Sequence, residues 1–232
     1  MSKQKQFFSK YKHAWVLSYF IIYMLWFTYL EKRNNVEFYS IHMTLDDMIP
    51  FCEYFIIPYM LWFLYIAGTV LYFMFTDVKD FYKCCAMLFT GMTICLIIYT
   101  VFPNQQNLRP TSFANDSIFI RMVASIYAAD TATNVCPSIH VLNSLCAFFS
   151  IYESKRLRKH KLLLVFTGIL SISICMSTVF LKQHSFFDVL CGAGLAILLY
   201  ALVYHLNLQK ISEYITELKE VREKKKADQL LE

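Results

Sequence analysis

The sequence predicts an all-α, polytopic membrane protein: a six-transmembrane-helix bundle with both termini cytoplasmic. Three observations predict it. The first is composition. Of the 232 residues, 57% are hydrophobic and 17% charged, whereas soluble domains carry about a quarter charged residues and cannot bury so much apolar surface at this size. The second is a set of six apolar stretches near the roughly 20 residues that a bilayer-spanning helix needs. The third is a lopsided distribution of Lys and Arg, which in membrane proteins marks the cytoplasmic side. An aromatic content of 17% also excludes a disordered chain. Five Gly and five Pro exclude collagen-like and linker compositions.

The expected spans are Trp15–Leu30, Tyr54–Thr76, Cys84–Phe102, Ser138–Tyr152, Leu162–Leu181 and Phe186–Leu206. The first follows a basic arm (Lys3, Lys5, Lys10, Lys12). It continues Leu30-Glu31-Lys32-Arg33 with no small-residue cleavage site, so it reads as a span rather than a signal peptide. The fourth is short and opens on Ser138, His140, Asn143 and Ser144, which makes a buried amphipathic helix its alternative reading. With the N-terminus inside, 17 of the 22 Lys and Arg fall in cytoplasmic segments, and only Lys32, Arg33, Arg109, Arg121 and Lys182 fall outside. The formal charge of +5 is therefore a topology signal and points to no nucleic-acid partner. The partner it implies is the lipid bilayer.

Two outer loops are long, Glu31–Glu53 and Pro103–Pro137. Within them Leu45–Phe51 and Ile118–Tyr127 are spaced for short helices. Residues 1–206 are expected to form one membrane domain, followed by a basic tail, 207–232. There Leu208, Ile211, Ile215, Leu218 and Val221 recur at helical spacing. The tail reads as an amphipathic helix on the inner leaflet, anchored by Arg222 and Lys224–Lys226. A short coiled coil pairing two copies is the alternative, although two heptads are marginal for it. Most of the eight cysteines lie inside spans, where a thiol behaves as a small hydrophobe. Cys52 and Cys136 alone share the outer side and could pair.

Polar residues near a bilayer mark function by default. Three stretches carry them: Asn107-Leu108-Arg109-Pro110, Cys136-Pro137-Ser138-Ile139-His140 and Lys182-Gln183-His184-Ser185-Phe186-Phe187-Asp188. The expected topology brings all three to the outer face. His184 and Asp188 are four residues apart, so both can sit on one helix face. A carboxylate beside an imidazole fixes its tautomer and leaves the other nitrogen nucleophilic. His140, at the start of the fourth span, can serve as acid and then base. Arg109 and Lys182 supply positive charge. Ser138 opens a helix whose free N–H groups favour an anion. Together these groups suit phosphoryl transfer. A zinc site from His140, His184 and Asp188 is the weaker reading, because that ligand set would serve several metals.

From about Tyr99 to Gly194 the chain resembles the type 2 phosphatidic acid phosphatase superfamily of integral membrane lipid phosphatases. Its motifs are Lys-x6-Arg-Pro, Pro-Ser-Gly-His and Ser-Arg-x5-His-x3-Asp. Arg109-Pro110 is similar to the end of the first and Pro137-Ser138-Ile139-His140 to the second, while Ser177, His184 and Asp188 fall at the spacing of the third. The run from Tyr127 through Asp130 and Asn134 resembles the bacterial branch.

The resemblance implies a six-span catalytic bundle that works without metal or other cofactor. It makes His184 the nucleophile that becomes a phosphohistidine and Asp188 its orienting group. It makes His140 the acid that protonates the leaving lipid oxygen and then the base that activates water. It gives Arg109, Ser138 and the Ile139 amide the phosphoryl oxygens, with Asp130, Asn134 and Ser177 in support. The motif Lys and Arg positions hold Phe102 and Thr178, and the motif Gly is Ile139. Charge alone nominates Lys182 as a replacement cation. Similar thinning of the motifs occurs in the lipid phosphotransferase branch, which resembles inositol-phosphorylceramide and sphingomyelin synthases. The expected activity is thus hydrolysis of a lipid phosphate monoester or diphosphate at the outer face of the cell membrane. Transfer to an alcohol is the alternative, and a non-catalytic lipid-binding scaffold a third reading.

Overall fold

A computed structural model describes residues 10–113 and 115–206. The expected tail helix and its pairing of two copies lie outside the described residues, as do Lys3 and Lys5. Five helical segments are long and apolar enough to cross a membrane: Lys12–Glu31, Glu53–Thr76, Val78–Val101, Lys161–Phe180 and Phe186–His205. They match five of the six expected spans. The fourth expected span is a helix of 15 residues, Ile139–Glu153. At 1.5 Å per residue it is about 22 Å long, against a hydrocarbon core of about 30 Å.

The helices are, in order, α1 (Tyr19–Glu31, after a tighter turn at Lys12–Ser18), α2 (Thr44–Met48), α3 (Ile56–Thr76) and α4 (Val78–Val101). They continue with α5 (Ile118–Ala129), α6 (Ile139–Glu153), α7 (Lys161–Phe180) and α8 (Phe186–Tyr200, continued by a wider turn at Ala201–His205). The short helices expected in the outer loops form at α2 and α5.

The short helix α6 is the hub. It packs on α4, α7, α8 and α3, and its Leu142, Cys146 and Ala147 join Leu88, Cys95, Leu96, Ile174 and Leu199 in the main core. Its polar residues face this interior instead of water. Ser144 Oγ donates to His140 O at 2.7 Å and Ser150 Oγ to Cys146 O at 2.9 Å, so each hydroxyl is satisfied one turn back. Ser171 of α7 donates across to Ser144 O at 3.2 Å. The polarity that made this stretch look weak as a span is what lets it occupy the bundle axis.

The third span starts earlier than expected. Asp77 alone separates α3 from α4, and its carboxylate accepts from the amides of Lys79 (2.9 Å) and Asp80 (3.0 Å). That cap begins the helix at Val78 instead of Cys84, so Lys79, Asp80 and Lys83 ride on its first turns. At the opposite end the long loops are stitched together. Strand β1 (Tyr39–Ser40) pairs in parallel with β2 (Asn104–Gln105), and Gln105 bridges to Thr133. All eight cysteines are free, so the pairing of Cys52 with Cys136 does not form.

Candidate active site

The site is built around the start of α8. Ser185 caps the helix: its Oγ accepts from Phe187 N at 3.2 Å, and its own N–H donates to Asp188 Oδ2 at 2.9 Å. This reciprocal cap fixes Asp188, which is fully buried, one turn beneath the residue before the cap. That residue is His184, whose Nδ1 stands 3.3 Å from Asp188 Oδ2. A carboxylate accepts from a ring N–H, so Nδ1 carries a proton, and in the neutral ring the lone pair is then on Nε2. His140 Nδ1 lies 3.4 Å from that Nε2, and with the neutral His184 ring it is the N–H donor of the contact. The His140 ring sits against Tyr59 and Trp62 of α3, at centroid distances of 4.8 and 4.5 Å.

The segment that carries His140 is held from three sides. Asn104 Oδ1 accepts from the amides of Val135 and Cys136, both at 2.8 Å, and its Nδ2 donates to Cys136 O at 3.0 Å. Tyr99 OH donates to Pro137 O at 2.5 Å. Ser138 N donates to Asp188 O at 3.1 Å, which ties the start of α6 to the first turn of α8. Close approach of the two helices requires Gly192, where a Cβ would lie 2.6 Å from Ser138 O.

A cavity of about 460 Å³ opens beside the histidines. His140, His184, Ile139, Asp130, Asn134 and Gln183 line it, and Tyr23, Phe27, Tyr59, Trp62 and Phe63 give it an aromatic wall. Among the described residues, no Lys or Arg lines it. Three buried polar atoms of its lining lack a hydrogen-bond partner: Gln183 Nε2, Trp62 Nε1 and Asn134 Oδ1. Asp130 follows α5 at the cavity edge. Burial, reinforced by Glu31 and opposed by His184 and Arg109, pushes its carboxyl up from 3.8 to about 6.

The sequence-nominated residues divide into two groups. His184, His140, Ile139, Asp130 and Asn134 line the cavity, and Asp188 is buried behind His184. Arg109, Lys182, Ser138 and Ser177 do not line it. Arg109 donates to the carbonyls of Tyr127 (3.2 Å), Asp130 (2.9 Å) and Thr131 (3.0 Å) and to Gln183 Oε1 (2.5 Å). Its guanidinium also lies 4.5 Å from the centre of the Tyr127 ring. Burial pulls its pKa below the ordinary value, with the Asp130 carboxylate opposing. Arg109 is thus a brace of the loop.

Lys182, nominated as a replacement cation, is turned away from the cavity. It adopts a positive φ of 52°, and its ammonium donates outward to the carbonyls of Asp46 (2.7 Å) and Ile49 (2.5 Å). Ser138 caps α6 by accepting from Val141 N at 3.4 Å, and Ser177 donates to Ile174 O at 2.6 Å. Both are fully buried. Among the described residues, no three His, Cys, Asp or Glu side chains converge as a metal site would require.

Sequence reasoning missed several positioning residues. Asp46, 2% exposed, accepts from Ser185 Oγ (2.6 Å), Phe186 N (2.7 Å) and Met43 N (2.8 Å), so the segment between α1 and α3 clamps the start of α8. Glu31 accepts from Asn134 Nδ2 at 2.8 Å and from the amide and hydroxyl of Thr131. The acidic residues between α1 and α3 were the only available signal, and no motif singled them out. A family model described as the PAP2 superfamily matches residues 86–212, more than half of the chain. No curated protein and no solved structure matches the chain.

Proposed function

Because the chain belongs to the PAP2 superfamily, we propose that it is a multi-pass membrane enzyme that transfers a lipid phosphoryl group through His184. The single observation that carries this reading is the chain Asp188–His184–His140, with a carboxylate on one nitrogen of the nucleophile and a proton donor at the other. In the resting site His140 N–H masks the His184 lone pair, so substrate must displace the His140 ring before attack. His184 Nε2 then bonds to phosphorus as the bond to the lipid oxygen breaks, and His140, as the imidazolium, gives that oxygen a proton and becomes neutral. Asp188 holds the positive charge that develops on His184. His140, now a base, takes a proton from the acceptor, which attacks phosphorus and frees His184. No step calls on a metal.

With water as acceptor the enzyme is a phosphatase of lipid phosphate monoesters or diphosphates, working at the outer face of the cell membrane. A second reading has an alcohol as acceptor and a phosphodiester lipid as donor. It is favoured by the lining of the cavity, which among the described residues holds no Lys or Arg. His184→Ala is expected to abolish phosphate release and headgroup transfer in detergent while the protein stays folded. Wild-type protein should retain ³²P on His184 after acid-free denaturation. Turnover by His184→Ala at the wild-type rate rejects the reading.

A further inference from the structure

Lys182 and Gln183 are adjacent, yet the turn sends them in opposite directions. The amides of Gln183 and His184 both donate to Thr178 O, at 2.9 and 3.0 Å. This tight turn, with Lys182 in the left-handed region, aims the Lys182 ammonium at the Asp46 loop and leaves Gln183 lining the cavity beside His184. Gln183 is 3% exposed. Arg109 has only donors, so the Gln183 atom it touches must be the carbonyl oxygen. The NH₂ end of the amide is thereby fixed on the other side. It meets no partner at full hydrogen-bond geometry; one of its two hydrogens leans on the Tyr59 phenol, which leaves the other unengaged. A buried, pre-oriented donor with an unengaged hydrogen beside a nucleophile costs stability unless a ligand completes it.

Resting on the second reading above, in which a phosphodiester lipid is the donor, we infer that Gln183 Nε2 is the donor that holds a phosphoryl oxygen, locked in place by Arg109, and that the site takes a singly charged phosphate group. The charged and titratable groups around this amide are Arg109, Asp130, His140, His184, Tyr59 and Tyr127, with Glu31 behind Asp130. Arg109 is engaged with carbonyls and one carboxylate stands in the lining. A neutral amide can hold an oxygen that carries part of one charge. The second charge of a monoester dianion would have no fixed cation and would face Asp130. Gln183 acts here as a binding residue and Arg109 as its positioning residue.

The test compares two lipids that differ by one methyl group: a dialkylglycerol phosphate and its methyl phosphodiester. Binding of each is measured to the full-length His184→Ala protein in detergent, where turnover is absent. At pH 7.5 the monoester is close to a dianion, its second pKa being about 6, while the diester stays singly charged. The diester is expected to bind on the order of tenfold more tightly, because an extra charge beside an unneutralised carboxylate is unfavourable. As pH falls to 5 the monoester should close the gap. Gln183→Lys in the same background should reverse the preference, and Gln183→Leu should weaken both lipids. Equal or tighter binding of the monoester at pH 7.5 overturns the inference, as does an unchanged preference in Gln183→Lys. If Gln183→Lys does not fold, the pH series on the single variant decides alone. Retention of ³²P on wild-type His184 tests the underlying reading separately, since it does not depend on which lipid binds better.

Discussion

At the scale of residues, the spacing of His184 and Asp188 was enough to identify the pair, because four residues at a helix start leave little geometric freedom. Identifying the anion ligand was harder. Lys182 and Gln183 differ by one position, and charge favours Lys182, but the positive φ at Lys182 reverses which side chain faces the cavity. A backbone conformation of that kind has no sequence signature when the residue is not Gly. Lys182→Met is therefore expected to lower Tm, since two carbonyls lose their donor, and to leave the inhibition constant of inorganic phosphate unchanged. A large rise in that constant would return Lys182 to the site.

Asp130 gives a pH signature. Its carboxyl titrates near pH 6 in the folded protein, above the ordinary 3.8. It is neutral in acid and becomes negative beside His184 as pH rises through 6, so KM for an anionic lipid should climb above that point. The same raised value means that folding is most favourable below the unfolded pKa, weakens between about 4 and 6, and then levels. Asp130→Asn should remove the limb centred near pH 6 from the KM profile between pH 5 and 8. A limb that persists in the variant assigns it to another group.

At the scale of elements, catalysis depends on the contact between α6 and α8, since each carries one histidine or its carboxylate. Apolar periodicity located both helices, but their separation is set by Gly192, which a sequence read alone presents as one glycine among five. A methyl group there would stand 2.6 Å from the Ser138 carbonyl and 3.3 Å from Val141 Cβ. The carbonyl cannot move freely, because it accepts from Leu142 N in the first turn of α6. Gly68 is the contrasting case, with nothing within 4 Å of an added Cβ. Gly192→Ala is expected to lower turnover by 10²-fold or more, on the order expected when reacting groups are displaced by about 1 Å. Gly68→Ala should match wild type in both turnover and Tm. Equal behaviour of the two variants would show that the interhelix distance is not what Gly192 protects. Helix limits were less legible than helix existence for a related reason. Asp77 moves the start of α4 by capping its amides, and the serines of α6 hide in the bundle by bonding their own backbone. Neither effect registers in hydropathy.

At the scale of the whole molecule, the site is assembled from more of the chain than its motifs cover. The family match begins at residue 86, yet Asp46 clamps the nucleophile's helix and Tyr59 and Trp62 hold the His140 ring. These contributions were illegible in sequence because each is a long-range contact from a segment with no motif of its own. Charge distribution was legible, and the fold gives it a direction. His140 sits at the start of α6, while the basic run Lys155–Lys161 follows its end. The histidine pair and the most basic loop therefore lie at opposite ends of one helix. If that loop is cytoplasmic, as expected from the bias of Lys and Arg, the histidines face outward. Two exposed positions test this: Asp116, in the loop before α5 on the histidine side, and Lys159, in the basic loop. In intact cells a membrane-impermeant maleimide should label Asp116→Cys at once and Lys159→Cys only after permeabilisation, each measured against unsubstituted protein to subtract the native thiols. The reverse pattern would place the histidines on the cytoplasmic face, and the lipid phosphate would then have to be presented from the inner leaflet.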